Sequence, residues 1–580
     1  MRSQTLSFLL SFPLALLACN KSQEAASTDG AKSSDGAKST DGSGDSKQAD
    51  SGSPGAAKTC PGSLTGDIVE PVIINKDCGE VLVDGSVQVH ADLTLEAGAT
   101  LVVSEGAEIA IGDHDKPGRL LVKGTAEAPV TIAGKTKAPG SWAGIRLMGA
   151  ASLSNIDHLT LQDAGADDAP ALLVSSPNVT IGAVTVRASK GPAVELALDD
   201  PTPFASLTVD GVGAPALRST ARGAGGLVAV AGAGAEAHIV SGDFQRDSKL
   251  AAIGVPWVIT YDAQVGGDES TPAVLTVAAG ADLRFTESGA LTIGLHHTGK
   301  LVFAGEAGKP IKLGSNREPQ AGAWRGVQVR GHGTLEAKHV ELRDAGRDEG
   351  AAIDVPEEGR ATLSDLAISN STIGVRSTSN IATLAVTNTG FTAVPVALQL
   401  APETLGGVGA GNRYDADARI VVVEGTVARD ITWASQATTI ELQGNLSVDK
   451  GKLVIPSGKV RVADGVTIAI GMHNGATLEL KGTAEQPVEL AGLREEPGLW
   501  GPITIYGTVG TRAVIEHVIL SSVAGPAGVV VEDEATAKID NLRCDRCEAS
   551  LQWSCAAKVE QTNVSAGTDT ATAVLAPEGC

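Results

Sequence analysis

Two acidic stretches hold the densest groups of chemistry-capable side chains in this 580-residue chain. QDAGADD carries Asp163, Asp167 and Asp168, and RDAGRDEG carries Asp344, Asp348 and Glu349 around Arg347. Oxygen-rich clusters of this kind can coordinate Ca²⁺, and two carboxyl groups flanking a glycosidic bond can serve as its acid and base. The corresponding third stretch, SSVAGPAG from Ser521 to Gly528, has no carboxylate at all. Asp344, Asp348 and Glu349 are therefore the candidate Ca²⁺ ligands, set against the blander reading of a solvated corner loop, and no residue is assigned a catalytic role.

Histidines recur in two sets. His114, His296 and His473 follow an Ile-Gly-x pattern, and His158, His339 and His517 open apolar runs. Within each pair the chain separation amounts to about two coils, or about 10 Å on a shared face. That is too far to ligate one metal without other ligands, and no carboxylate or cysteine keeps a fixed register with both. Trp142, Trp324 and Trp500 would make a sugar-stacking row only if close together. They recur once per long repeat, so a role in packing a corner fits better.

These residues travel together with everything around them. LLVKGTAEAPVTIAG from Leu120 returns as LVFAGEAGKPIKLGS from Leu301 and as LELKGTAEQPVELAG from Leu478. IGDH, GSWAGIRL and HLTLQDAG return as IGLH, GAWRGVQV and HVELRDAG, then as IGMH, GLWGPITI and HVILSSVAG. Inside each copy the period is two: Leu120 and Val122 match Leu301 and Phe303, then Leu478 and Leu480. The position between them is Leu121, Val302 or Glu479, a set that suits only an outward-facing site. Short alternating runs bounded by Gly and Pro are half-buried strands, and no helical pattern appears beyond the N-terminus. Tandem sandwiches would show linkers. None interrupts the strands here, and the internal motifs follow one another at intervals of about 20 to 30 residues, the length of a solenoid turn.

LTLEAGATLVV, LLVKGTAEAPVTI and GSWAGI together resemble the right-handed parallel β-helix repeats of bacterial cell-surface proteins, within the pectate-lyase-like superfold. The resemblance implies an all-β solenoid of three related blocks of about 180 residues. It also implies that lyases and glycoside hydrolases are to be considered. Polygalacturonases of this fold resemble the chain only at Gly331-His332-Gly333. Their paired-aspartate motif belongs a few coils upstream, yet Asp167-Asp168 precedes it by far more than that. Catalysis is thus not expected from His332.

The ends set the compartment. Arg2 and the apolar run Leu6 to Leu17 have the length and charge of a secretory signal, too short for a membrane span. Leu16-Leu17-Ala18-Cys19 resembles a bacterial lipobox, which implies diacylation of Cys19 and, with Asn20 next, the outer membrane. Residues 20–58 are mostly Ser, Asp, Gly, Ala and Lys with no large apolar side chain. They are expected to form a disordered tether with a reach of roughly 35 Å. Six further cysteines, Cys60, Cys78, Cys544, Cys547, Cys555 and Cys580, flank the repeats. An even number in an exported chain favours disulfides, with Cys60–Cys78 the natural N-terminal pair. The spacing of the other four matches no closed zinc motif, and Cys544-x-x-Cys547 lacks the βαβ context of a redox site. Net charge is −23 with the basic residues scattered, which argues against a nucleic-acid partner.

The reading is a signal peptide (1–18), a lipidated tether (19–59), three β-helix blocks (60–235, 236–415, 416–540) and a cysteine-rich cap (541–580). The expected function is structural, adhesive or glycan-binding at the cell envelope, with a membrane contact through acyl chains and a polysaccharide or surface protein as partner. The alternative is a polysaccharide lyase or glycoside hydrolase.

Overall fold

A computed structural model describes residues 57–149, 153–267 and 271–577. The signal peptide, Cys19, residues 20–56 of the tether and Cys580 lie outside the described residues. The rest is an all-β parallel solenoid of about 21 turns. At about 4.8 Å per rung such a stack is roughly 100 Å long. Among the described residues, helix is confined to Pro402–Leu405 and three short 3₁₀ pieces. No helix among the described residues is long and apolar enough to cross a membrane.

One coil is a leading strand Arg119–Lys123, a middle strand Val130–Gly134 and a trailing strand Gly144–Leu147. The next coil lies on it in parallel register, Leu121 against Asn155, Ile132 against Leu161 and Ile145 against Leu172. Alternation decides which side faces in. Leu120, Val122, Val130 and Ile132 are at most 1% exposed, as are Leu301, Ile311, Leu313, Leu480 and Val488 in the copies. Each such side chain is worth about 1.5–3 kcal/mol of burial, so an aliphatic ladder of short strands holds the stack without large aromatic clusters. Corners differ in length: Ala237 stacks on Trp257, whereas Leu291 stacks on the more distant Val327.

The turn after the leading strand explains a recurring glycine and a recurring histidine together. His158, His339 and His517 adopt left-handed φ values of 47°, 49° and 51°, a region in which histidine is enriched among non-glycine residues. This bend turns each histidine's carbonyl toward the coil before it. A β-carbon on Gly124, Gly305 or Gly482 would meet that oxygen at 2.4, 2.2 or 2.4 Å. Only glycine fits beneath a corner built this way.

The walls of the solenoid do not keep their roles from block to block. In the first block, Gly144–Leu147 is a trailing strand. Its wall continues, with one register shift between Ser219 and Thr220, through Leu172–Val174, Val194–Leu196, Leu217–Thr220, Ala237–Ser241, Trp257–Ile259 and Asp282–Phe285 to Ile311–Ser315. Ile311–Ser315 is the copy of the middle strand Val130–Gly134. In the second block the trailing strand Gly326–Val329 starts a run of pairings that arrives at the middle strand Val488–Gly492. At each junction the old middle wall stops and a new trailing wall starts. The first block's middle wall is last held by Val230 N–H donating to Ile253 O at 2.7 Å. Meanwhile Phe244 bridges Val265 to begin the new wall. At the second junction one wall ends at Arg413–Tyr414 and another begins at Gly425–Val427. A fully buried tryptophan sits in each changeover: Trp257 donates from Nε1 to Ala251 O at 2.9 Å, and Trp433 to Pro402 O at 3.0 Å.

Both ends are continuous with the coil. Lys58–Thr59 pairs with Val72–Ile73, and pairing persists to Thr572–Leu575.

Candidate ligand-binding site

The recurring aromatic and histidine residues serve the fold. Trp142, Trp324 and Trp500 are all 0% exposed. Their Nε1 atoms donate to the carbonyls of Gln162, Arg343 and Ser521, each at 2.8 Å, at the end of the next coil's middle strand. Trp324 is also stacked on Phe285 with centroids 4.0 Å apart. His158, His339 and His517 are the left-handed corners described above. In the Ile-Gly-x-His turns, His473 N–H donates to Asp449 Oδ1 at 3.1 Å, pinning the turn to the coil beneath. His332 is an exposed turn residue before Gly333–Lys338.

The acidic stretches are corner loops with left-handed backbone at Asp163, Asp167, Asp168, Asp344, Asp348 and Glu349. The structure separates the last three rather than gathering them. Asp344 is 1% exposed, its Oδ1 accepting from Asn370 Nδ2 at 2.6 Å and its Oδ2 facing Arg343 Nε at 3.7 Å. Asp348 and Glu349 are exposed, with Asp348 3.9 Å from Arg347. Among the described residues no three His, Cys, Asp or Glu side chains are grouped to hold a metal ion. In the first block, burial pushes the Asp163 carboxyl above its usual range, with Lys137 opposing. Cys60 and Cys78 are bonded as expected, Cys544 bonds Cys547, and Cys555 is also disulfide-bonded.

A polar concave surface lies one residue from Asp344, on the outer face of the second block's middle wall. Asp282, Arg284, Lys312, Gly314, Glu341 and Arg343 line a groove of about 320 Å³. Parallel register builds it as two columns. Asp282, Lys312 and Glu341 stand one above another, while Arg284 stands over Gly314 and Arg343 follows on the next rung. Gly314 makes the floor: a β-carbon there would come within 3.0 Å of the Arg343 side chain. The two arginines thus start from rungs about 10 Å apart by strand spacing, with the Arg343 side chain reaching over the glycine rung between them. Arg284 is held by Asp282 at 3.1 Å, and Arg343 by Asp344. Lys312 and Glu341 make no ion pair among the described residues. With the buried Asp344 behind Arg343, three cations meet three carboxylates and the groove is near neutral; what it offers an anion is a pair of planar guanidinium donors suited to carboxylate or sulfate groups, with Lys312 beside them.

The other blocks lack it. At the places of Lys312 and Gly314 they carry Thr131 and Ala133, then Glu489 and Ala491. The sequence does mark Lys312 as the odd member of that set, but not that Asp282, Arg284, Glu341 and Arg343 stack beside it. That depends on register across loops of unequal length. A scan against protein-family models finds no match to this chain, and a search of curated proteins finds no relative.

Proposed function

We propose that this protein is a lipid-anchored, extracytoplasmic β-helical surface protein with a structural or adhesive role, and that the groove of the second block contacts an acidic glycan. One observation carries the reading. The residues shared by all three blocks are consumed by corners and coil contacts, while the charged groove belongs to one block alone. The lipobox-like Leu16–Cys19 and the polar tether support attachment to the outer membrane through acyl chains on Cys19, with the solenoid held clear of the headgroups. A polysaccharide lyase or hydrolase is the second reading, favoured by Asp282 and Glu341 standing on one column with Lys312 between them.

The full-length chain, incubated with neutral and acidic polysaccharides with and without Ca²⁺, tests both. Retention of an acidic polymer without new products supports the binding role, and its loss on Arg284→Ser with Arg343→Ser places it in the groove. Shortened or unsaturated products in the mass spectrum would overturn passive binding in favour of catalysis. Retention of no polymer removes the groove from the reading. Radiolabelled palmitate entering the wild type but not Cys19→Ser tests the anchor.

A further inference from the structure

We infer that the cleft where one wall of the solenoid runs out, at the second junction, is a binding site for an uncharged saccharide. It is separate from the charged groove and does not depend on it. Arg413–Tyr414 is the last strand of its wall: it pairs with Gly390–Thr392 in the coil before and, among the described residues, with no strand in the coil after. The following coil passes over it as a loop, and the gap left is a cleft of about 440 Å³ lined by Tyr414, Asp415, Gln436, Thr438, Thr439 and Lys459, among others. That volume lies within the range of small-molecule sites.

The lining is fixed in place before any ligand arrives. Tyr414 stacks on Phe391, centroids 5.5 Å apart and rings 5° from parallel. Its hydroxyl donates to Gln436 Oε1 at 2.9 Å, and burial pushes its ionisation above the usual tyrosine range, so it stays neutral. Gln436 Nε2 donates to Ala434 O at 3.2 Å and to Gly409 O at 3.4 Å, which uses both amide protons. Thr438 donates to Ala418 O, and Asp415 Oδ2 accepts from Ala393 N–H at 2.7 Å. What remains free is mostly acceptor capacity, on the threonine oxygens and Asp415 Oδ1, with the Lys459 ammonium as donor. Sugar hydroxyls donate and accept with equal ease, which matches this set. Lys459 faces Glu489 at 3.7 Å and Asp415 adds a negative charge, so the cleft offers no net attraction to an anion. Fixed donors and acceptors reduce the ordering cost of binding.

The test titrates the full-length chain with maltotriose, cellotriose, mannotriose and triacetylchitotriose by saturation-transfer NMR and calorimetry. At least one should bind, with an affinity insensitive to added salt. Ala437→Trp, at an exposed position on the cleft lip, should weaken it tenfold or more, while Arg284→Ser with Arg343→Ser should leave it unchanged. Ala416→Trp, on the opposite lip, serves if the first variant does not fold as judged by circular dichroism. Binding of no sugar in the panel overturns the inference, as does undiminished binding in a folded lip variant. Loss of binding in the arginine variant would move the site to the groove and overturn it equally.

Discussion

Replacing Trp324 with phenylalanine keeps a ring against Phe285 and removes the N–H that Arg343 O accepts. Three ring atoms are lost from a site that is 0% exposed. At about 0.8 kcal/mol per buried methylene equivalent this costs ~2 kcal/mol. The carbonyl of Arg343 is left without its donor, which adds about 1 kcal/mol or more. The expected loss is therefore about 3 kcal/mol, against about 0.5 kcal/mol for a tryptophan facing solvent. A solenoid's stability is close to a sum of neighbour terms, so a global denaturation midpoint would dilute a local effect. Hydrogen exchange resolved by peptide reports the opening free energy of individual coils, and the fall should centre on residues 311–345. The same variant should weaken acidic-glycan retention, because the lost bond holds the backbone of a groove arginine. A change below about 1 kcal/mol in those peptides would refute the assignment of the three tryptophans as pins of the middle-to-trailing corner.

Three further variants probe other parts of the fold. Burial raises the Asp163 carboxyl above its unfolded value of 3.8; the native state thus holds the proton to higher pH, and the group costs stability above its raised pKa but none well below 3.8. Asp163→Asn, which also tolerates the φ of 63°, should raise the melting temperature at pH 7 and leave it unchanged near pH 3; an equal gain at both would contradict the charge argument. Glu349 holds a left-handed φ of 59° with an exposed side chain; Glu349→Gly should stabilise its coil by about 0.5–1 kcal/mol, and a loss of stability in exchange measurements would show that the carboxylate does more than occupy the corner. Serine at both Cys60 and Cys78 opens a bridge with a sequence separation of 18 and should cost about 3 kcal/mol, read as faster exchange in residues 58–103 and not beyond residue 300; uniform loss along the solenoid would sink the local account.

The coil itself was legible because strand alternation is a local property. Leu120, Val122, Val130 and Ile132 declare their faces through what their copies tolerate between them, and the structure buries all four. Cys60–Cys78 was legible because the two cysteines stand alone at their end. The tryptophan corners could be argued from spacing alone, since one per block puts them too far apart for a single short glycan. What stayed hidden depends on pairing. Both the charged groove and the wall-end cleft join residues from coils whose loops differ in length, so alternation shows that Lys312 faces outward but not that Glu341 lies above it. The changeover of walls is harder still to see. Aligning the copies shows that Val130–Gly134 and Ile311–Ser315 are the same strand, and that equivalence hides the fact that they stand on different walls.

That changeover bears on valency. Duplicated binding modules usually gain strength by engaging a polyvalent target together, provided that their geometry lets them reach it at once. Here each trailing wall becomes the middle wall of the next block, so corresponding middle faces point along different bearings around the axis. A flat partner seated against one block's middle face is turned away from its counterpart in the next. Repetition brings no avidity to the middle faces in this arrangement. It lets each copy diverge on its own, and the charged groove, present in one block and missing from its two siblings, is the kind of specialisation that such independence permits.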